Sequence, residues 1–484
     1  MTDLITVGRR RPVFSTTYRA AEMAQLADWI RRGVSGSVVG TGGAGKSNLL
    51  GFLCARPDAL QRYFEPDGPP VLAVLVDLND LPADDLATFH RVILRAFHEA
   101  RGRVEPALQQ RIQELYDEVR AAKDPFLTQS ALREWLFALT GQGTQVVLVL
   151  DRFDRFCEDP PPRMMDTLRA LRDAFKGQLV YLMGMRQPVR YLSDPAVLGE
   201  LYEVLDSHIC WVGPMADEDA LRVVAEELDP ATAEGAGAEI VALSGGYPAL
   251  LKAVCHAWPA PPKYWPSSEV AREALANDAA VRVRLDEIWN GLTQAEQSAL
   301  ADVRRLSSRA AAALQSGADA QAVQAVAQRN RERLAAQHER VLAELSERRL
   351  CRHEPGGWVI HGELLAEHIA GVAVAGRGTI WRDAVTGELH QGSTVLGNLA
   401  NLEERLLAHL VDHPRVRHSK SNVIEQVWPD ESVADGVMDD ALYQVVKELR
   451  RKIEPDPAAP RYLVTWRGKP EGGYQLFPEG RPAG

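Results

Sequence analysis

The chain has 484 residues, which at about 100 to 200 residues per domain is length for several compact units and excludes one small domain. A charged fraction of 25% and a hydrophobic fraction of 46% exclude a wholly disordered or fibrous chain. The net charge of -11, from 55 Lys and Arg against 66 Asp and Glu, excludes a protein that coats polyanions over its whole surface and leaves nucleic-acid binding to a local basic face.

The first twelve residues carry Arg9, Arg10 and Arg11 but no apolar stretch after them, so the pattern of a secretory signal is missing. No run approaches the ~18 apolar residues of a membrane span, and a cytoplasmic protein without a membrane partner is expected. The five cysteines (Cys54, Cys157, Cys210, Cys255 and Cys351) lie far apart with no CxxC pair, which reads as inert thiols in a reducing compartment.

From residue 35 to 212, short apolar runs alternate with longer amphipathic ones, the layout of an α/β domain with a largely parallel sheet. Buried strands are expected at residues 37–40, 71–77, 145–151, 178–184 and 209–212, inside a domain spanning 1–215. The strand signal stops after Pro214. Residues 216–256 read as helices opening on the acidic turn Asp217, Glu218 and Asp219, a helical lid within 216–262. Pro259, Pro261, Pro262 and Pro266 then mark a linker or domain edge.

A further domain is expected over 263–375. In it Thr293 and Glu296 have the spacing of a capping box, residues 307–337 predict one long exposed helix, and Trp358, Val359 and Ile360 predict a hairpin strand. The last domain, 376–484, mixes short strands with three helical stretches. In its third helix Leu442, Val445, Val446, Leu449 and Ile453 form an apolar stripe, which puts Gln444, Lys447 and Arg451 on the opposite face.

Two sequence features carry chemistry. Gly40-Thr41-Gly42-Gly43-Ala44-Gly45-Lys46-Ser47 fits G-x-x-x-x-G-K-[ST] between an expected strand and the helix that begins near Asn48. Glycines let the backbone N–H groups curl around a phosphate, the helix N-terminus adds positive potential, Lys46 reaches the β- and γ-phosphates, and the Ser47 hydroxyl ligates Mg²⁺. The run Val146 to Asp151 is the second feature, an apolar strand ending in a carboxylate able to hold the shell of that metal. Arg152 follows where hydrolysing relatives place an acid, which predicts slow turnover. Asp154 either substitutes for that acid or caps the next helix.

Phosphate loop, Asp151 with Asp154, a strand ending Leu182-Met183-Gly184-Met185-Arg186, and Gly246-Tyr247-Pro248 together resemble the signal-transducing (STAND) branch of the AAA+ ATPases over residues 10–370. The resemblance implies a P-loop NTPase sheet with helical lid and internal winged helix (residues 285–369), ATP or ADP with Mg²⁺ as cofactors, γ-phosphate sensing by Arg186, and Pro248 near the adenosine. It sets Arg19, in Tyr18-Arg19-Ala20-Ala21-Glu22, at the family's Gly-Arg-Glu element, here without the Gly, and so among the nucleotide-binding residues.

Residues 379–477 resemble the OmpR/PhoB-type winged-helix DNA-binding domain. The carriers are Leu399 to Leu407, Val427-Trp428, Leu449 to Glu454, and Arg461 to Gly468 leading to Gly473-Tyr474. The wing departs from the family pattern, with Lys469-Pro470-Glu471-Gly472 between Gly468 and Gly473. The resemblance implies double-stranded DNA as partner and contacts from Gln444, Lys447, Arg451, Arg450 and Tyr443 on the third helix and from Arg467 at the wing. The residues alone also admit cations that complement the C-terminal end of a helix dipole.

The combination predicts a nucleotide-switched transcription regulator that self-associates and answers an activating ligand or protein that the sequence does not identify. The alternatives are a conflict or defence effector whose winged helix senses DNA or binds a protein, and a scaffold that uses both winged helices for protein contacts. His409, His413 and His418 lack companion cysteines or carboxylates at ligand spacing, and no metal site is expected there.

Overall fold

The computed structural model describes residues 14–66, 68–157, 162–192, 194–259, 265, 267–315, 320–354, 357–375, 378–383, 386–392, 394–397, 399–428, 438–454, 457, 460–468 and 471–480. The chain divides into two units, residues 1–242 with 246–264, and residues 243–245 with 265–484.

The first unit is built on a five-stranded sheet of β1 (Gly36–Val39), β2 (Val71–Asp77), β3 (Gln145–Asp151), β4 (Leu179–Met185) and β5 (Ile209–Trp211), in the order β2-β3-β4-β1-β5. Every pairing is parallel. Such a sheet is covered on both faces, so its strands are apolar without alternation, and Val146 to Leu150 are all buried. β1 stops one residue short of the expected 37–40. Gly40 already turns there, and a Cβ on it would stand 2.3 Å from the carbonyl oxygen of Val212.

Three helices, Leu86–Glu99, Pro106–Val119 and Pro125–Gly141, connect β2 to β3. Each N-terminus is marked in the sequence: Asp85 and Asp124 accept backbone N–H groups as N-caps, and Pro106 and Pro125 occupy first-turn positions. After β5 the helices Asp217–Glu227, Pro230–Ser244 and Pro248–Ala257 occupy the expected lid segment. The five cysteines are free and buried, and burial pushes the Cys157 thiol up to about 12. Among the described residues no helix is long and apolar enough to cross a membrane.

In the second unit, helices Ser268–Asn277, Ala279–Asn290, Gln294–Gln315 and Ala320–Glu347 lead to the antiparallel hairpin β6 (Cys351–Glu354) and β7 (Gly357–Ile360), then to helix Glu363–Ala375. The capping box forms: Glu296 Oε2 accepts the Thr293 N–H at 2.7 Å, and Thr293 Oγ1 accepts the Glu296 N–H at 3.3 Å. The single long helix expected over 307–337 is corrected to parts of two helices, ending at Gln315 and restarting at Ala320. His338 Nε2 comes back to 3.1 Å from Asp302 Oδ2. Alanine composition favours helix throughout, and a lone Gly costs only ~1 kcal/mol in a helix, so the division into two helices leaves no strong local mark in the sequence.

The C-terminal part places β8 (Ile380–Arg382), β9 (Leu389–Gln391) and β10 (Thr394–Val395) in one antiparallel sheet. Helices Asn401–Asp412, Lys420–Val427 and Met438–Ile453 follow, with a second sheet of β11 (His418–Ser419), β12 (Leu463–Trp466) and β13 (Gly473–Leu476) in the order β11-β13-β12. Leu442, Val446, Leu449 and Ile453 enter the core with Leu406, Leu410, Tyr462 and Leu476, and Val445 packs at its edge.

His90 supplies a test of the first unit. It is fully buried, its Nδ1 lies 3.0 Å from Thr128 Oγ1, and burial pushes the imidazole from 6.5 down to about 4. The unfolded chain takes up a proton that the folded state refuses. The stabilising effect is therefore complete above about pH 6.5 and lost as the pH falls to about 4, a change of ~3 kcal/mol. Urea unfolding across this range should show the slope, and His90→Gln should flatten it.

Candidate functional site

The phosphate loop leaves the C-terminal end of β1 and enters helix Lys46–Ala55. Gly43 (φ 74) and Gly45 (φ 88) take left-handed conformations, which turn successive N–H groups toward one point and form an anion-binding nest at a helix start. Lys46 Nζ lies against the loop carbonyls of Gly40 (2.5 Å) and Thr41 (3.3 Å). Ser47 and Asn48 are exposed at the mouth, Gly42 is half-buried and Ala44 is buried.

Behind this loop stands Arg19, 2% exposed and itself left-handed (φ 51). Its Nη2 donates to the Ala44 carbonyl at 2.7 Å, Nη1 to Glu22 Oε1 at 3.1 Å and to the Pro214 carbonyl at 3.5 Å, and its backbone N–H to Asp219 Oδ2 at 2.9 Å. Where a ligand contact was expected, these bonds turn the guanidinium to the Ala44 carbonyl of the loop and Arg19 as a whole to the start of helix Asp217–Glu227. Pro248 opens helix Pro248–Ala257 and sits on the loop, 3.2 Å from where a Cβ on Gly45 would be. The next N–H, of Ala249, donates to the Gly43 carbonyl at 3.2 Å.

Asp151 ends β3 with 3% exposure, and its Oδ1 accepts the Arg152 N–H at 3.0 Å. A Cβ on Gly184 would come 2.6 Å from that oxygen and 2.8 Å from Leu50 Cδ1 of the loop helix. Glycine on β4 thus lets the carboxylate and the loop helix close on one strand. Arg186 is exposed just past Met185, the residue in register with Val39 at the end of β1. Loop, Asp151 and Arg186 therefore share the carboxyl edge of one parallel sheet, the edge at which such sheets bind ligands. Asp154 is half-buried in the short helix Phe153–Phe156. The donor set suits a phosphate in the nest, with Ser47 and Asp151 as oxygen ligands for Mg²⁺.

Asp77 escaped the sequence reading as a site residue. It ends β2 in register with Asp151 and lies 3.6 Å, Oδ2 to Nη1, from Arg152. The signal was present, because both strands end in Asp. Replacing Gly184 by Ala is expected to destabilise the first unit by about 1–3 kcal/mol through overpacking on Asp151 and Leu50, read as a lowered urea midpoint.

On helix Met438–Ile453, Tyr443 (58% exposed), Gln444, Lys447 and Arg451 face outward. Arg451 pairs with Glu448 at 2.6 Å. Arg450 is corrected from a DNA contact to a fold contact. Its Nε and Nη2 donate to the Leu463 carbonyl at 2.9 and 2.7 Å, and Nη2 also to Thr465 Oγ1 at 2.9 Å. Glu454, fully buried, accepts the N–H groups of Arg461 (2.7 Å), Tyr462 (2.9 Å) and Leu463 (2.7 Å). Arg467 is exposed at the end of β12, while Lys469 and Pro470 of the wing lie outside the described residues. The rings of His409, His413 and His418 lie 4.7–5.8 Å apart, yet among the described residues no group of His, Cys, Asp and Glu has metal-holding geometry.

If this face meets a duplex, Lys447→Ala weakens binding by a similar factor on all sequences and lowers the slope of log K against log salt by about 1. Arg450→Ala should instead cost about 1–3 kcal/mol of folding stability, because the Leu463 carbonyl loses its donors. Salt-dependent binding isotherms and urea unfolding separate the two effects.

Residues 396–476 match the family described as "Transcriptional regulatory protein, C terminal". That segment is a winged helix of this transcriptional-regulator type. The chain is 38% identical over 74 residues to the transcriptional regulatory protein YvrH of Bacillus subtilis (strain 168), covering 15% of this chain and 29% of that protein. It is 35% identical over 112 residues to protein PetR of Rhodobacter capsulatus, covering 23% of this chain and 46% of the relative. The chain thus spans less than half the length of either relative.

Among solved structures, the Walker-type ATPase PABY2304 of Pyrococcus abyssi is 13% identical with a TM-score of 0.38, covering 76% of this chain and 99% of that one. The Aeropyrum pernix ORC2 protein in its ADP form is 15% identical, also at 0.38, covering 74% and 94%. At these TM-scores neither structure bears on the chemistry of the site.

Proposed function

We propose that this chain is an ATP-binding transcription regulator of the signal-transducing type, in which the state of the nucleotide governs presentation of the C-terminal winged helix to DNA. The observation that carries the reading is the left-handed glycine nest of the loop in direct contact with the lid helix through Pro248 and Ala249, in a chain that also holds a winged helix of transcriptional-regulator type. In this reading a shift of the loop is felt at helix Pro248–Ala257 through the Ala249–Gly43 bond.

In this reading Lys46 and the loop N–H groups of residues 42–48 hold the phosphates, Ser47 and Asp151 hold Mg²⁺, and Arg186 faces the γ-phosphate. Mg²⁺ held by Ser47 and Asp151 would neutralise phosphate charge. Arg19 keeps the loop in shape. With Arg152 in place of an acid after Asp151, no base is supplied there for an attacking water, and the nucleotide acts as a timer instead of a fuel. Turnover below about one per minute is expected, since P-loop sites without an accelerating partner, even with an arginine in cis, hydrolyse at ~10⁻⁴–10⁻² per second. Many turnovers per second would overturn this assignment.

From residue 376 to 484 there are 14 Lys and Arg against 16 Asp and Glu, so a single copy has little nonspecific attraction to phosphate and salt weakens it readily. Two copies joined through the ATPase part gain by effective concentration on paired half-sites. The test is selection of bound fragments from random and genomic DNA with ATP and with ADP, on the intact chain and on Lys46→Ala. A recovered motif whose binding depends on nucleotide and is altered by Lys46→Ala is the expected result. No motif under either nucleotide, from a folded protein, would favour the effector or scaffold alternatives.

A further inference from the structure

Arg152 combines features that its position in the strand order alone does not explain. It holds a left-handed backbone (φ 62), a strained state for a long side chain and one that concentrates at functional sites. Its N–H is fixed on Asp151 Oδ1 at 3.0 Å. Its guanidinium crosses to Asp77 of the neighbouring strand with a loose 3.6 Å approach, and both side chains are open to solvent, 46% and 34% exposed. Asp77 has a second task, since its Oδ1 accepts the Asn79 N–H at 3.0 Å and so caps the turn Leu78–Asp80 that begins the connection to β3.

An exposed pair at this distance contributes little to stability, about 0–1 kcal/mol, so stability does not account for the strained backbone. The pair sits on the carboxyl edge that carries the phosphate loop. β3 lies two strands from β1, about 10 Å at ordinary strand spacing, a gap that a loop-bound triphosphate and an extended arginine together span. A diphosphate is shorter by one phosphoryl group and carries less charge.

We infer that Arg152 is a recognition residue for the terminal phosphate of a nucleoside triphosphate, held in reserve by Asp77 and transferred to the γ-phosphate oxygens when the triphosphate binds. The transfer exchanges one carboxylate for a more highly charged anion that accepts two guanidinium N–H groups at once. It discriminates triphosphate from diphosphate, because only the former reaches. Asp77, released from its cation, keeps its hold on the Asn79 N–H. This inference rests on the nucleotide reading of the loop.

The test uses the full chain and two variants chosen to keep the backbone: Arg152→Asn, because Asn tolerates a left-handed φ, and Asp77→Asn, whose amide oxygen still accepts the Asn79 N–H. Affinities for fluorescent N-methylanthraniloyl ATP and ADP with Mg²⁺ give the ratio of triphosphate to diphosphate binding. Arg152→Asn should lower that ratio by about fivefold or more, Asp77→Asn should raise it, and the double variant should follow Arg152→Asn. A ratio unchanged by Arg152→Asn, with both nucleotides still bound, overturns the inference and leaves the nucleotide reading standing. If the intact, folded chain binds neither nucleotide, the reading of the loop falls and the inference falls with it.

Discussion

The structure of the first unit depends on one buried cation. Arg19 fastens the phosphate loop at the Ala44 carbonyl, its own helix Ala20–Arg31 at Glu22, and the start of helix Asp217–Glu227 at Pro214 and Asp219. Glu22 and Asp219 are themselves buried; the guanidinium pairs with Glu22 and the Arg19 backbone N–H bonds Asp219, whose carboxyl burial still pushes up. Taking out one member of such a set strands the others without partners, which is far more disruptive than the net worth of the set suggests. The left-handed backbone at Arg19 is the local cost of directing the main chain to Asp219 and the side chain to the loop at once.

Much of the architecture was legible where local physics and the fold agree. The strands Val71–Asp77 and Gln145–Asp151 coincide with their apolar runs because a parallel sheet covered on both faces leaves no polar alternation to confuse the ends. Thr293 and Glu296 announced their capping box through spacing alone. Of the candidate site, the loop and Asp151 were singled out by residue types that suit phosphate and metal chemistry, and the structure places both at the carboxyl edge of one parallel sheet.

The remainder depends on contacts between distant segments, which local pattern does not encode. Whether Arg450 faces a duplex or a neighbouring strand turns on where β12 returns. The exposed face of the helix was readable from periodicity, but the placement of a side chain at the margin of that face was not. Asp77 was signalled only by the Asp that ends both strands, and its meeting with Arg152 was not readable until the register with Asp151 was known. That Gln294–Gln315 and Ala320–Glu347 are two separate helices is reported by His338 meeting Asp302, not by any strong local breaker.

Glu454 and Arg450 give the winged helix a mechanical character. One buried carboxylate grips three consecutive N–H groups at the entrance to β12, and one guanidinium clasps the next carbonyl and hydroxyl of the same strand. The third helix and the wing strand are thereby welded into a single stiff die. A die of this kind gives up little conformational freedom on contact, and it cannot reshape itself to a surface that fits badly. Were it to grip a double helix, more of the fitting would fall to the duplex, and the stiffness of the base-pair steps between its contacts would enter the choice of site.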